Sequence, residues 1–293
     1  MKRSANIIAT AAGPAEVEVR GSGIPVLVLH GSPGGIDQAR AMSQFLTKNG
    51  FKAICVSRPG YLGTPLNPAD PSIDHEAGLL AAILDAVGVE RAGVLAYSGG
   101  GPSAYRLAVR QPDRVSAIVA IAAVSSRYVV PEPTATDRFL FGTRAGQRLL
   151  RFLAQRAPHQ VVEGALASEG SIRGEELKAA AAGVMADPEQ RAAVLALSIT
   201  TGWRGSREAG WNNDLANFGA IDSLELDHVR CPVLLIHGDA DTDVAVDYSR
   251  TAHSALPDST LVVVERGTHL AFYAHPQARD VQEQARKWFT THT

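Results

Sequence analysis

The sequence predicts an α/β fold in which helices cover both faces of a largely parallel β-sheet. Short apolar runs rich in β-branched residues recur along the chain, and stretches of helical composition separate them. The runs cover residues 17–20, 26–30, 53–57, 92–96, 115–122, 233–237 and 261–265. We interpret the first as an edge hairpin strand and the others as strands of the main sheet.

A second, helical region interrupts this rhythm. Residues 125–224 are rich in Ala, Arg, Glu and Gln, and we expect helices at 143–156, 174–185 and 188–201. Asp187 is predicted to cap the last of these helices, with Pro188 at its first position. The chain therefore divides into a core domain, residues 1–124 and 225–293, and a helical lid, or cap, of residues 125–224.

The composition favours one catalytic unit that acts on a small molecule. The chain has 293 residues, of which 45% are hydrophobic, so it can bury a large core. Lys and Arg number 28 against 30 Asp and Glu, a net charge of -2, which provides no overall field to attract nucleic acid or an anionic membrane. A small-molecule substrate is the expected partner, and the sequence leaves open whether the chain forms a homo-oligomer.

The start of the chain and the cysteines indicate a cytoplasmic protein. The basic residues 1–3 precede only a short, weakly apolar stretch at 5–12, which makes a poor signal peptide. No apolar run approaches the roughly 18 residues needed to span a bilayer. Cys55 and Cys231 lie in or beside apolar runs, which predicts buried thiols rather than a disulfide.

The turn after the strand at 92–96 carries the candidate nucleophile, Ser98. Residues 96–102 read Ala-Tyr-Ser-Gly-Gly-Gly-Pro, which matches the pattern G-x-S-x-G with Ala96 in place of the first Gly. Small residues two positions on either side of the Ser, here Ala96 and Gly100, relieve the crowding of such a turn. A phosphate loop is the alternative, but the run lacks the Lys of a P-loop.

Two backbone N–H groups, those of Ser32 and Gly99, are candidates for an oxyanion hole. Gly99 follows Ser98 at the N-terminal end of the helix expected at 103–110, where unpaired N–H groups and the helix dipole favour negative charge. Ser32 belongs to the run His-Gly-Ser-Pro-Gly-Gly at 30–35, whose glycines let the backbone approach a ligand closely. A dinucleotide loop is the alternative for this run, although its spacing is not G-x-G-x-x-G.

His269 is the predicted base, and Asp241 is the preferred acid. A nucleophilic Ser needs a base that a carboxylate orients, and both follow it in the chain, on loops after later strands. Asp241 follows the strand at 233–237, and His269 follows the last strand at a Gly-Thr turn. His275 is a weaker candidate for the base. Two neighbouring residues stay open as alternatives for the acid, namely Asp239 and Asp243.

On these motifs the sequence resembles the α/β-hydrolase superfamily. The resemblance is carried by residues 26–34, 57–65, 97–100, 235–241 and 267–269. It implies an eight-stranded, mostly parallel sheet with a helical lid inserted after the sixth strand, and a site that needs no metal or organic cofactor. A Ser nucleophile differs from the Asp of haloalkane dehalogenases and epoxide hydrolases, so the resemblance implies chemistry on an acyl group.

The expected function is hydrolysis of an acyl compound, foremost a carboxylic ester, through a triad of Ser98, His269 and Asp241 and an acyl-enzyme intermediate. The same triad serves lactone hydrolysis, C–C bond hydrolysis and aminopeptidases. A ligand-binding receptor built on this fold is an answer of a different class.

Aromatic residues of the predicted lid are candidates for the substrate pocket. The candidate substrate-binding residues are Tyr97, Trp203, Trp211 and Phe139, with Phe141 and Phe152 as further lid aromatics. Asp214 is interpreted as a helix cap in preference to a polar group that faces the site.

Overall fold

The chain forms an eight-stranded β-sheet in the computed structural model, which describes residues 6–292. The strands are β1 (Asn6–Thr10), β2 (Gly13–Gly21), β3 (Ile24–Leu29), β4 (Phe51–Val56), β5 (Ala92–Tyr97), β6 (Val115–Ile121), β7 (Val233–Gly238) and β8 (Ser259–Val264). They lie in the order β1-β2-β4-β3-β5-β6-β7-β8. β2 is antiparallel to β1 and β4, and the other neighbours are parallel. The predicted α/β fold with an eight-stranded, mostly parallel sheet is confirmed.

Helices cover both faces of this sheet. They are α1 (Ile36–Met42), α2 (Gln44–Thr47), α3 (Ile73–Ala86), α4 (Gly101–Arg110), α5 (Ala135–Leu140), α6 (Arg144–Arg156), α7 (Pro158–Ser168), α8 (Gly174–Ala186), α9 (Pro188–Ser198), α10 (Glu208–Gly219), α11 (Val246–Ala255) and α12 (Ala278–His292). Side chains alternate between the two faces of a strand, so β3 supplies both cores. Leu27 and Leu29 pack with α3 and α4 on one face, whereas Val26 and Val28 pack with α1 and α12 on the other.

The parallel strands bring the predicted motifs to one edge of the sheet. β3, β5, β7 and β8 run in the same direction, so the loops that follow them leave the sheet at the same side. These loops contain Ser32, Ser98, Asp241 and His269. The topology alone therefore gathers residues that lie far apart in the sequence, as ligand sites in open α/β sheets do.

Helices α5 to α10 lie between β6 and β7, in the stretch predicted to be a lid. Three of them match the predicted helices: α6 begins after Thr143, α8 begins at Gly174, and α9 begins at Pro188. Asp187 caps α9 as predicted, because its side chain accepts hydrogen bonds from two backbone N–H groups of the first turn. The division into core and cap at residues 124 and 225 stays a prediction.

Both cysteines are buried and free, Cys55 within β4 and Cys231 just before β7. Burial raises the pKa of the Cys55 thiol to about 11. Over the described residues, no helix is both long and apolar enough to cross a bilayer. The basic start at residues 1–3, on which the expected cytoplasmic location partly rests, lies outside the described residues.

Candidate active site

Ser98 occupies the sharp turn that joins β5 to α4. Its φ of 50° lies in the left-handed region, which costs a non-glycine residue roughly 1–2 kcal/mol. A Cβ atom added to Gly100 would come within 2.9 Å of the carbonyl oxygens of Leu29 and His30, so a glycine is required there. Only 6% of the surface of Ser98 is exposed. A strained, small-residue turn of this kind fits a nucleophile held for reaction.

Asp241 and His269 form a buried pair at the ends of β7 and β8. Oδ2 of Asp241 lies 2.6 Å from Nδ1 of His269. Oδ1 of Asp241 accepts hydrogen bonds from the backbone N–H groups of Asp243, at 2.9 Å, and Val244, at 3.0 Å. Nε2 of His237 lies 3.1 Å from Oδ2. These contacts fix the carboxylate on the imidazole, which a base-orienting acid requires.

The pKa of Asp241 reflects this surrounding. Burial by itself would raise the pKa, but the charge of His269 and the hydrogen bonds from His237 and His269 lower it to about 2. Asp239 is exposed, and its Oδ1 accepts the backbone N–H of Arg266 at 2.6 Å. Of the three acidic residues in this loop, only Asp241 is held on Nδ1 of His269, whereas Asp243 lies on the other side of the ring.

The second ring nitrogen of His269 faces Asp243. Its Nε2 lies 3.5 Å from Oδ2 of Asp243. Burial would lower the pKa of His269, but Asp241, and after it Asp243 and Glu169, raise it above its ordinary value. These carboxylates stabilise the imidazolium, which is the form that a base adopts after taking a proton.

Among the described residues, no hydrogen bond joins Ser98 Oγ to Nε2 of His269. Such contacts are often long in the free enzyme and tighten when a substrate is bound. Tyr97, next to Ser98 in the chain, places its ring centroid 5.0 Å from that of His269. The elbow and the acid–base pair therefore meet at the same end of the sheet.

The loop after β3 lies directly against the elbow. A Cβ atom added to Gly31 would come within 3.2 Å of the Ser98 Cβ. A Cβ atom added to Gly99 would overlap the side chain of Ser32. The two residues predicted to supply oxyanion donors, Ser32 and Gly99, are thus in contact with each other beside Ser98.

Asp214 lies in a buried polar cluster, and its interpretation as a helix cap is wrong. It sits inside α10 and is 3% exposed. Its carboxylate accepts hydrogen bonds from Ser32, from Tyr61 at 2.6 Å and from Arg58 at 2.8 Å. Burial raises the pKa of Asp214, although the charge of Arg58 opposes the rise. Local sequence suggested a cap because Asp is common at helix ends, but the side chain is committed to residues of the core loops.

The aromatic residues proposed to bind substrate do not lie together in one pocket. Tyr97 is buried beside His269. Trp203 and Trp211 stack with ring centroids 5.8 Å apart, and they border a surface cavity of about 380 Å³ whose lining includes neither Ser98 nor His269. The remaining lid aromatics are Phe141, which contacts Trp203, and Phe139 and Phe152, which are largely exposed.

Glu169 is a residue of this site that the sequence did not reveal. It follows α7, and its backbone carbonyl accepts the N–H of His269 at 2.9 Å. Burial raises the pKa of the Glu169 carboxyl to about 7. No local motif marks this position, because its role depends on how the segment between α7 and α8 lies on the loop of Asp241. Within residues 6–292, no group of three or more His, Cys, Asp or Glu side chains could hold a metal ion.

Over most of its length the chain matches a known protein family. The sequence pattern of the family described as "alpha/beta hydrolase fold" matches residues 24–276. A solved alpha/beta hydrolase fold protein from Nakamurella multipartita is 44% identical, with a TM-score of 0.95 over 98% of this chain and 99% of its own. The uncharacterized hydrolase YcgS of Bacillus subtilis is 24% identical over 92% of this chain and 93% of its own. A thermophilic esterase from Thermogutta terrifontis shares the fold, with 19% identity and a TM-score of 0.67 over 99% of this chain and 100% of its own.

Proposed function

We propose that this chain, which belongs to the alpha/beta hydrolase fold family, is a serine hydrolase that cleaves a carboxylic ester through Ser98, His269 and Asp241. The observation that carries the proposal is the 2.6 Å contact between Nδ1 of His269 and Oδ2 of the buried Asp241, at the sheet edge where Ser98 occupies its strained turn. A buried carboxylate on one nitrogen of a His leaves the other nitrogen to act as a base.

The proposed mechanism has two half-reactions. His269 takes the proton of Ser98 Oγ, and the oxygen attacks the acyl carbon while the backbone N–H groups of Ser32 and Gly99 stabilise the negative oxygen. His269 then returns the proton to the departing alkoxide, so an alcohol leaves and Ser98 stays acylated. Water attacks the acyl-enzyme in the second half, with His269 again as base, and releases the acid and free Ser98.

The cap and its aromatic residues belong to this proposal as well. We assign residues 125–224 to a cap over the site and keep Tyr97, Trp203, Trp211 and Phe139 as candidate contacts for the substrate. The position of Tyr97 beside His269 supports its place in the pocket. Trp203 and Trp211 would reach only a part of a substrate that extends toward their surface cavity.

A second candidate function is release of an N-terminal amino acid from a peptide. It is favoured by Glu169 and Asp243, two carboxyl groups that lie close enough to His269 to raise its pKa and that would attract an ammonium group. Against it, Gly99 follows Ser98, whereas the aminopeptidase branch usually carries Trp there. Comparison of amino-acid p-nitroanilides with p-nitrophenyl esters separates the two functions.

The test of the main proposal is covalent labelling combined with turnover. A fluorophosphonate is expected to label Ser98, and the enzyme is expected to hydrolyse short p-nitrophenyl esters. Ser98→Ala should lose both properties while it keeps the circular dichroism spectrum of the wild type. Absence of labelling and of ester turnover in the folded wild type would instead support a ligand-binding receptor on this fold.

A further inference from the structure

A buried ion cluster connects α10 of the predicted cap with the loop of the proposed oxyanion hole. We propose that Asp214 is a positioning residue: by holding the hydroxyl of Ser32, it keeps the backbone N–H of Ser32 in place for the oxyanion. This inference rests on the proposed function, since it assigns to Ser32 one of the two donors.

The contacts of Asp214 leave its carboxylate little freedom. Oδ2 accepts hydrogen bonds from Ser32 Oγ, from the Tyr61 hydroxyl at 2.6 Å and from Nη1 of Arg58 at 3.1 Å. Oδ1 accepts from Nη2 of Arg58 at 2.8 Å. Every one of these groups donates to Asp214, as suits an ionised carboxylate, and both of its oxygens have a partner. Arg58 and Asp214 have side chains only 2% and 4% exposed.

Ser32 is held from both sides through its hydroxyl. It donates to Asp214 and accepts a hydrogen bond from Nη1 of Arg58 at 3.0 Å. Its side chain also lies against Gly99, where an added Cβ atom would overlap it. Because the hydroxyl is fixed, the short side chain restrains the backbone of Ser32, which lies in a loop outside any helix or strand. A preorganised donor of this kind needs no rearrangement when the oxyanion forms.

The charges in the cluster indicate that Asp214 acts through geometry rather than through its electric field. Arg58 lies between Asp214 and Glu76, with its Nε 2.7 Å from Oε1 of Glu76. One cation between two carboxylates leaves a net charge of about -1 beside the place where the oxyanion would form, which the field alone would disfavour. Removal of the Asp214 charge should therefore help catalysis if only the field mattered, and should harm it if position matters.

Because Asp214 belongs to α10, it connects the predicted cap with the loop that carries the backbone N–H of Ser32. The start of α10 is tied to the core loop after β4, since Gly210 N–H donates to the Gly60 carbonyl at 2.9 Å. Just before α10, the Ser206 carbonyl accepts the N–H of Leu62 at 2.7 Å. Helix α10 is thereby fixed against the loop that carries Arg58 and Tyr61, and it presents Asp214 to Ser32.

A double-mutant cycle tests the inference. We expect Asp214→Asn and Ser32→Ala each to lower kcat for p-nitrophenyl acetate by roughly 10- to 100-fold, as a small misplacement of a catalytic group does, with KM changed less than about twofold. If Asp214 acts through the Ser32 hydroxyl, the double variant should be no slower than the slower single variant. Asp74→Asn, which removes a carboxylate from the buried Arg106 at the α3–α4 contact, is the matched control and should keep wild-type kcat.

The outcomes are separable. Wild-type kcat in folded Asp214→Asn, or a double variant whose loss equals the product of the single losses, would overturn the inference and leave the proposed function intact. An unlabelled, inactive wild type would overturn the proposed function, and the inference with it. If Asp214→Asn does not fold, Ser32→Ala decides, because it leaves the Arg58–Asp214 pair in place: a fall in kcat supports the inference, and an unchanged kcat refutes it.

Discussion

Nδ1 of His269 and Oδ2 of Asp241 lie 2.6 Å apart, although 28 positions separate these residues in the chain. Parallel β7 and β8 make this contact, because each residue follows the carboxyl end of one of two neighbouring strands. The pair is buried, and the carboxylate also accepts two backbone N–H groups. The two parallel strands therefore bring together the loops that carry this pair.

Replacement of Asp241 by Asn should reveal its role as the orienting acid. The amide keeps the shape of the side chain, but it cannot stabilise the imidazolium and favours the wrong tautomer of His269. We expect kcat to fall by about 10⁴-fold, as in a serine protease with the equivalent change. Asp239→Asn is the matched control, since Asp239 is exposed and only caps the turn at Arg266, and it should change kcat less than about twofold. Equal losses in the two variants would contradict the assignment of Asp241.

The pH dependence of activity should report the carboxylates around His269. A base must be neutral to take a proton, and Asp241, Asp243 and Glu169 raise the pKa of His269. The wild type should therefore gain kcat/KM as the pH rises above 7. Asp243→Asn removes a charge 3.5 Å from Nε2 and should move this rise to lower pH, by roughly one unit. The pH range to measure is about 5 to 10, which runs from below the ordinary pKa of His to near that of Lys. If kcat/KM depends on pH in the same way in the wild type and in Asp243→Asn over this range, this account of His269 is refuted.

Much of the fold could be predicted because it depends on local patterns, whereas part of the site could not. β5 and β7 are fully buried apolar runs that end at motif residues, so their position and the roles of Ser98 and Asp241 could be proposed from the sequence. Helices α5, α7 and α10 escaped prediction because no long apolar periodicity marks them, although α5 begins with the capping pair Thr134 and Asp137 and α7 begins at Pro158.

Asp214 shows why the rest needed the structure. Its partner Ser32 lies 182 positions away, and no spacing rule connects a residue inside α10 to a loop after β3. Glu169 reaches the site in the same way, through a bridge between Gly170 and Asp241 that joins two distant loops. Contacts between residues this far apart in the sequence decide which polar side chains face the site. Local propensity, in contrast, favoured a helix cap at Asp214.

The strained backbone at Ser98 predicts a conflict between stability and activity. A φ of 50° is strained for a residue with a Cβ atom, whereas Gly adopts this conformation readily. Of two inactive variants, Ser98→Gly should be more stable to unfolding than Ser98→Ala, by about 1 kcal/mol. Urea denaturation of the two proteins measures the difference, and Ser103→Gly compared with Ser103→Ala, inside α4, should show the opposite order. Equal stability at position 98 would argue against strain at the elbow.

Mass spectrometry of the protein after reaction with a fluorophosphonate tests directly whether Ser98 is the nucleophile. We predict one added label, located on the peptide that contains Ser98, with loss of p-nitrophenyl acetate turnover in proportion to labelling. His269→Gln should label far more slowly, because its base is missing. A label on another residue, or full turnover by a protein labelled at Ser98, would contradict the proposed mechanism.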